Sequence, residues 1–311
     1  MFLRHRISGP RLVLSLLLLL IPMVGGAVAQ NRIGVLYPDV KEPFLGVFQN
    51  ILLGIESESS GPVIPNALPD QVEPGTLEGW LAQEKIDTVI ALGRQGALAA
   101  QSLNNNRALI VGAVPTAPEG FSGISLSPDP AVLFQHLRDL VPRAQRVHVV
   151  YSETTAWLIP LAEAAARARG LKLQAYPVTE LREAVLEYRR LLQSLRGLSD
   201  AIWLPLDNLT ADDEVVLPLV LQGALDRGLV VFSSKPSHAQ RGTLFSMFPD
   251  HFAMGQSLAR LASTKTQGQA NASVLPLANL QLAVNLRTAF HLGLRFTPRQ
   301  QERFDLVFPS R

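Results

Sequence analysis

Arg146-Val-His-Val-Val-Tyr151 leads into Ser152-Glu-Thr-Thr-Ala-Trp157, then a helical stretch to Arg169 that Gly170 closes. The run reads as a β-branched strand, a small polar loop and an amphipathic helix, with glycine in the position that wants a left-handed residue. The same cadence repeats on either side of it. Strand patterns occur at Arg32 to Tyr37, Ile86 to Leu92, Arg107 to Val114, Asp200 to Pro205 and Gly228 to Ser233, each followed by a helical pattern. Alternation of this kind makes parallel sheets and an α/β fold, because parallel strands need a crossover long enough to hold a helix. In an open parallel sheet the ligand site lies at the loops following the strands' carboxyl ends.

The chain has 311 residues, 47% of them hydrophobic and 17% charged, enough to bury a large core in one large or two medium domains. Its first segment differs in character. Arg4, Arg6 and Arg11 precede an apolar run from Leu12 to Val24, and Ala27-Val28-Ala29 closes it. A basic start, an apolar centre and a small-x-small end predict a signal peptide over 1–29, cleaved after Ala29. As an anchor helix the apolar run is too short, because a bilayer needs about 20 residues and Pro22 interrupts this one. Export to the periplasm as a soluble chain is therefore expected. With no cysteine there is neither a disulfide nor a lipid-anchoring thiol. Cleavage removes three of 28 bases and none of 26 acids, which leaves a formal charge of −1. No basic stripe remains to neutralise phosphates, so nucleic acid is not an expected partner.

Two α/β units follow. The Gly/Pro-rich stretch Gly120-Phe-Ser-Gly-Ile-Ser-Leu-Ser-Pro-Asp-Pro130 reads as a crossing between them, after which Asp129-Pro130 caps a helix carrying Leu133, Leu137 and Leu140 on one face. Residues 57–73 are irregular, and only Pro62-Val-Ile64 suggests a strand there. Helices are predicted at Phe44 to Glu56, Gly96 to Leu103, Trp157 to Arg169, Glu183 to Leu195, Asp212 to Asp226, Phe252 to Leu261 and Leu286 to Leu292. The segment after 250 is too small to be a domain, so the chain is expected to return to the first lobe and cross again. The expected lobes are 31–124 plus about 249–283, and 125–248 plus about 284–311.

Catalytic motifs are missing. There is no Gly-x-Ser-x-Gly elbow, Ser-x-x-Lys, Walker loop or dinucleotide fingerprint, and no thiol. The six histidines show no i,i+4 pair, so no metal site and no cofactor is expected. Thr210 reads as a helix cap, with Asp212, Asp213 and Glu214 in the first turn where the helix dipole favours acids. Asp207 is left at the end of a strand, where it would suit a ligand ammonium or stand as a solvated loop residue. The other strand-end loops carry Tyr37, Asp39, Phe44, Gly93, Arg94, Gln95, Thr116, Tyr151, Ser152, Trp157, Ser233 and Ser234. Aromatic and hydroxyl residues of this kind stack on and hydrogen-bond a small polar ligand. Singly, Phe44 and Trp157 also read as core residues at helix starts.

Leu140-Val-Pro-Arg-Ala-Gln-Arg-Val-His-Val-Val-Tyr151, Asp200-Ala-Ile-Trp-Leu-Pro-Leu-Asp-Asn208, Arg227-Gly-Leu-Val-Val-Phe-Ser-Ser234, the run Gly242 to Gly255, the run Ala283 to Leu294 and Ala91-Leu-Gly-Arg-Gln-Gly96 resemble one family. They look like the ABC-transporter substrate-binding proteins that include tryptophan/tyrosine-type binders, over roughly residues 86–294. The resemblance implies a type I periplasmic-binding fold: two Rossmann-like lobes joined by three crossings, here near 124, 248 and 284, closing on a ligand such as an amino acid. By position, Asp207 resembles the acid of a Thr-Asp pair that receives the ligand's amino group. Leu206 stands where that Thr would be, and Arg94 replaces a small hydroxyl residue, either to grip a carboxylate or to lie solvated. The implied partners are a small-molecule ligand and a membrane permease, or a membrane-bound sensor kinase if the fold signals instead of transporting; a monomer is expected. An exported hydrolase is the remaining class, and no nucleophile and base pair supports it.

Overall fold

The computed structural model describes residue 1 and residues 31–309, apart from 72, 104–106, 116–119 and 267–272. The predicted signal peptide and Thr116 lie outside the described residues. From residue 31 the chain forms β1 (Ile33–Pro38), α1 (Phe44–Glu58), β2 (Val63–Leu68), α2 (Pro74–Gln83), β3 (Thr88–Leu92), α3 (Gly93–Gln101), β4 (Ala108–Val114) and β5 (Ser122–Pro128). Next come α4 (Pro130–Leu140), β6 (Arg146–Tyr151), α5 (Glu153–Ala156), α6 (Ile159–Ala168), β7 (Lys172–Pro177), α7 (Leu181–Ser194), β8 (Asp200–Leu204), α8 (Val216–Leu225), β9 (Val230–Ser233), α9 (His238–Arg241) and β10 (Phe245–Pro249). The chain ends with α10 (His251–Thr266), β11 (Val274–Leu277), β12 (Leu280–Asn285), α11 (Leu286–His291), α12 (Pro298–Gln301) and β13 (Leu306–Phe308).

Among the described residues these strands form two sheets, ordered β11-β5-β4-β3-β1-β2 and β13-β12-β10-β9-β8-β6-β7. Pairing is parallel throughout except between β10 and β12. The alternation of the strands sends neighbours to opposite faces. Val35 and Ile90 pack with Ile51 and Ile55 of α1 and Met254 and Leu258 of α10, while Leu36 and Val89 pack with Leu77 and Leu81 of α2. In the second sheet, Val149 and Trp203 face α4 and α6, whereas Val150 and Ile202 face α7 and α8. With both faces covered, the strands are near-continuous apolar runs, the pattern expected of buried parallel sheets.

The chain passes between the sheets at Asp129, at Asp250 and between Leu277 and Leu280. The stretch read from sequence as a linker is in part a strand: β5 pairs with β4 on one side and β11 on the other. Its small residues are what the packing requires. A Cβ at Gly123 would stand 2.1 Å from the Val111 carbonyl oxygen. Ser125 Oγ donates to Val114 O and Pro115 O, both at 3.1 Å, and Ser127 Oγ to Pro115 O at 2.7 Å. The first crossing therefore falls after 128, not near 124, and the third at 278–279, not near 284. The capping expected of Asp129 is present, its Oδ1 accepting from Ala131 N at 2.7 Å.

Other departures have local causes. β2 runs to Leu68, and Pro65 is tolerated because β2 is an edge strand whose outer side needs no ladder donor. Trp157 caps the single turn of α5, and the helix restarts at Ile159 with Pro160 in its first turn. The helix expected from Asp212 begins at Val216, and Asp212, not Thr210, takes the N–H groups of Glu214 and Val215 at 3.0 and 2.6 Å. Among the described residues no helix is long and apolar enough to cross a membrane.

Candidate functional site

In the first sheet the strand ends lead directly into the candidate residues. β3 passes into α3 without a loop: Gly93 takes φ of +71°, and at Gly96 a Cβ would come within 3.0 Å of the Leu36 carbonyl. Only glycine makes the strand-to-helix turn at this cost. Arg94 is the second residue of α3, is exposed, and makes no hydrogen bond or ion pair with any described residue. Among the described residues no side chain caps the α3 amino terminus, whose N–H groups and dipole favour an anion. Gln95 Nε2 instead donates to the carbonyls of Leu68 and Pro69, tying α3 to the end of β2. After β1, the Tyr37 hydroxyl and the Asp39 carboxylate have no protein partner among the described residues; Tyr37 lies 6.2 Å from Phe48, ring to ring. Phe44 does not enter the core, being 66% exposed. β4 ends in a bulge at Ala113, held at φ of +56°, which turns the strand end.

The second sheet's strand ends are built differently, because their polar groups are consumed by one another. Asp207 is 3% exposed. Its Oδ2 accepts from Ser152 N at 3.2 Å, Ser152 Oγ at 2.7 Å and Thr155 Oγ1 at 3.1 Å. Its Oδ1 accepts from Leu209 N at 2.8 Å and Thr210 N at 3.3 Å. Burial alone would push this carboxyl up, but the Ser152 hydroxyl and the two N–H groups outweigh it and hold the pKa below the ordinary carboxylate value. Asp207 is therefore neither a solvated loop residue nor a free acceptor; it fastens the loop after β8 to the loop after β6.

Ser233 and Ser234 are similarly engaged. Ser234 Oγ accepts from Trp203 Nε1 at 3.0 Å. Ser233 Oγ lies 2.8 Å from His238 Nδ1, and His238 Nε2 lies 2.8 Å from Asp213 Oδ1. The same Asp213 carboxylate receives Lys235 Nζ at 3.0 Å and Arg241 Nη1 at 3.1 Å. Burial lowers the His238 pKa against the upward pull of Asp213, so the ring is neutral at pH 7. Because a carboxylate only accepts, Nε2 carries the ring proton. Ser, His and Asp in this order resemble a hydrolytic relay, but Ser233 is wholly buried and its Oγ also bonds Leu204 O at 3.2 Å and Lys235 N at 2.9 Å. The array locks the β9 loop and presents no nucleophile to a substrate. Lys235, His238 and Thr155 were not legible as partners from sequence; the spacing of Ser233 and His238 is the nearest signal.

Tyr151 and Trp157 remain. Both pack partly buried against the core beside α4, the Tyr151 hydroxyl has no partner among the described residues, and the Trp157 indole N–H is shielded without one. The structure thus gathers Gly93, Arg94, Tyr37 and Asp39 at the strand ends of one sheet, and Tyr151, Ser152, Asp207, Ser233 and Ser234 at those of the other. Among the described residues no group of three or more His, Asp and Glu side chains is placed to hold a metal ion.

Residues 83–299 match the family model of the ABC transporter substrate binding protein, more than half of the chain. The chain belongs to that family. Solved structures agree on the fold. A ligand-free, open substrate-binding protein with adhesive properties from Clostridium difficile aligns with a TM-score of 0.60 at 17% identity, covering 90% of this chain and 100% of that one. An ABC domain in complex with L-Trp from Streptococcus pneumoniae aligns at 0.54 and 19%, over 90% and 100%. A conserved domain protein from Vibrio cholerae aligns at 0.52 and 19%, over 89% and 99%. At these identities the likeness establishes the type I periplasmic-binding architecture, two parallel-dominated sheets, for this family member. A comparison with curated proteins returns no match.

Proposed function

We propose that this substrate-binding protein works in the periplasm, after removal of residues 1–29, and delivers a small carboxylate-bearing solute, an amino acid in the leading case, to the membrane permease of an ABC importer. The ligand sits between two lobes, one built on each sheet, and it acts as a monomer without catalysis. The observation that carries this reading is the contrast between the strand ends of the two sheets. Among the described residues, the first sheet offers Arg94 at a helix amino terminus without a side-chain cap, with Asp39 and the Tyr37 hydroxyl also lacking partners. The second offers a prearranged surface in which Asp207, Ser152 and Ser233 are already committed, with Tyr151 and Trp157 available for stacking. The Streptococcus pneumoniae relative was solved with L-Trp, which fits an amino acid with an apolar side chain.

In this reading Arg94 takes the ligand carboxylate in a bidentate pair, and Asp39, rather than Asp207, is the free acid for an ammonium. A ligand touching both lobes stabilises their closed arrangement by its differential contacts, and that shape is what the permease reads. A thermal-shift screen of the amino acids and their oxo-acids tests the proposal, since a ligand bound only by the folded state raises the melting temperature. A hit is expected, and Arg94→Gln should weaken it by roughly 1.5 to 3 kcal/mol, read by calorimetric titration. A full panel without a hit, or a panel in which no hit depends on Arg94, contradicts it.

A further inference from the structure

A separate cavity of about 210 Å³ lies in the second lobe, between α4, β12 and the segment that links α12 to β13. None of its lining residues belongs to the strand-end loops, so it is distinct from the site proposed above and stands or falls without it. Its apolar part is formed by Leu140, Leu282 and Phe304, and Phe304 is held edge-on against Phe296 at 5.3 Å. The segment is anchored from behind, with Leu282 N donating to Asp305 Oδ2 at 2.6 Å. The remaining lining is polar: His136, Asp139, Gln300 and Arg303. The Arg303 guanidinium is exposed and makes no hydrogen bond or ion pair with any described residue, and the His136 ring makes none either. Asp139 spends one oxygen on Gln135 Nε2 at 3.0 Å. Gln300 spends its carbonyl on Thr297 and keeps its amide N–H groups.

We propose that this cavity is a second ligand site, for a small monocarboxylate with a short apolar body. The carboxylates of Asp139 and Asp305 and the Arg303 guanidinium all act on His136; N–H donors still outnumber the free oxygens, and Arg303 supplies a planar fork, without an ion pair among the described residues, that suits a carboxylate. At roughly 30 Å³ per water-sized unit the space holds about seven heavy atoms, which matches a short aliphatic chain whose carboxylate stays beside Arg303. The chemistry has two sources. In a simple carboxylic acid Asp139 is a bystander, and in an amino acid its free oxygen receives the ammonium. The location adds a consequence: α4 follows the first crossing between the sheets and β12 follows the third, so an occupant braces the segments next to both.

The test is titration of the full mature chain with 4-methylpentanoate and, separately, leucine, following the His136 ring signals by NMR. Both the wild type and Arg94→Gln should show saturable His136 shifts with equal dissociation constants. Arg303→Gln, which removes no contact of the fold, should weaken binding about tenfold or more, and Arg303→Lys should recover part of it. Tighter binding of leucine that Asp139→Asn abolishes supports the site with an amino acid as its source; equal binding that ignores Asp139→Asn supports it with a simple carboxylic acid. No His136 response up to about 10 mM of either probe, a response unchanged in Arg303→Gln, or one lost in Arg94→Gln overturns the proposal.

Discussion

At Asp207, position in the sequence and position in the hydrogen-bond network point to different roles. A carboxylate at a strand's carboxyl end is placed for a ligand, but Ser152 and Thr155, more than 50 residues earlier, already saturate it. Asp207→Ala leaves buried donors unpaired, and the expected cost is about 3 kcal/mol in urea unfolding. Asp207→Asn, which faces those donors with an amide N–H group, should cost about 2 kcal/mol, while ligand affinity measured on the folded variant stays within a factor of about two to three. The histidines give a pH prediction. Burial lowers the pKa of His148 and His238, and of His136 and His251, from 6.5. Below that value the unfolded chain takes up protons that the fold refuses, so stability falls as pH drops through 6.5 toward the folded values. Asp200, Asp207 and Asp213 sit below 3.8, so their contribution is present above that pH and is lost further into acid. Thermal melts should accordingly show a decline between pH 7 and 5 and a second one below about pH 4; a flat profile between 7 and 5 contradicts the histidine assignment. Residue types at the strand ends were legible in sequence. Their engagement was not, because a hydroxyl facing a ligand and one facing a neighbouring loop are written with the same letter.

The elements that periodicity marks strongly were legible: β6 occupies its predicted residues, and α4 buries Leu133, Leu137 and Leu140 as its spacing requires. Those that escaped are the ones whose composition answers to a neighbour. β5 carries Gly123 because the Val111 backbone presses on it and serines because Ser125 and Ser127 bond back to the end of β4, and α2 carries Gly75 and Gly79 with only Leu77 and Leu81 to mark its buried face. The contact of α1 with α10 shows the same rule at closer range. A Cβ at Gly54 would meet the Phe252 carbonyl oxygen at 2.0 Å, and one at Gly255 the Ile51 carbonyl oxygen at 2.1 Å. Those neighbours are backbone and cannot swing aside. Gly54→Ala should therefore destabilise by about 3 kcal/mol or more in denaturant unfolding. Gly46→Ala on the same helix meets only the Glu42 side chain, and should be neutral or stabilising by up to about 1 kcal/mol.

For the whole molecule, the repeated strand and helix cadence was enough to give two parallel sheets, while the positions of the crossings depended on strands the sequence disguises. The functional reading proposes that those sheets turn their strand ends toward one shared ligand: a charged rim without partners among the described residues on the first sheet, and a hydrogen-bonded one on the second. Small-angle scattering should show the radius of gyration falling when the solute found in the screen saturates the protein, as expected for closure. Amide hydrogen exchange with and without that solute tests the claim most directly. One ligand should slow exchange together at Gly93 to Gln95, where the first sheet's β3 runs into α3, and at Tyr151 to Trp157, at the end of β6 in the second. Protection confined to one of these segments, or found in neither, contradicts the account.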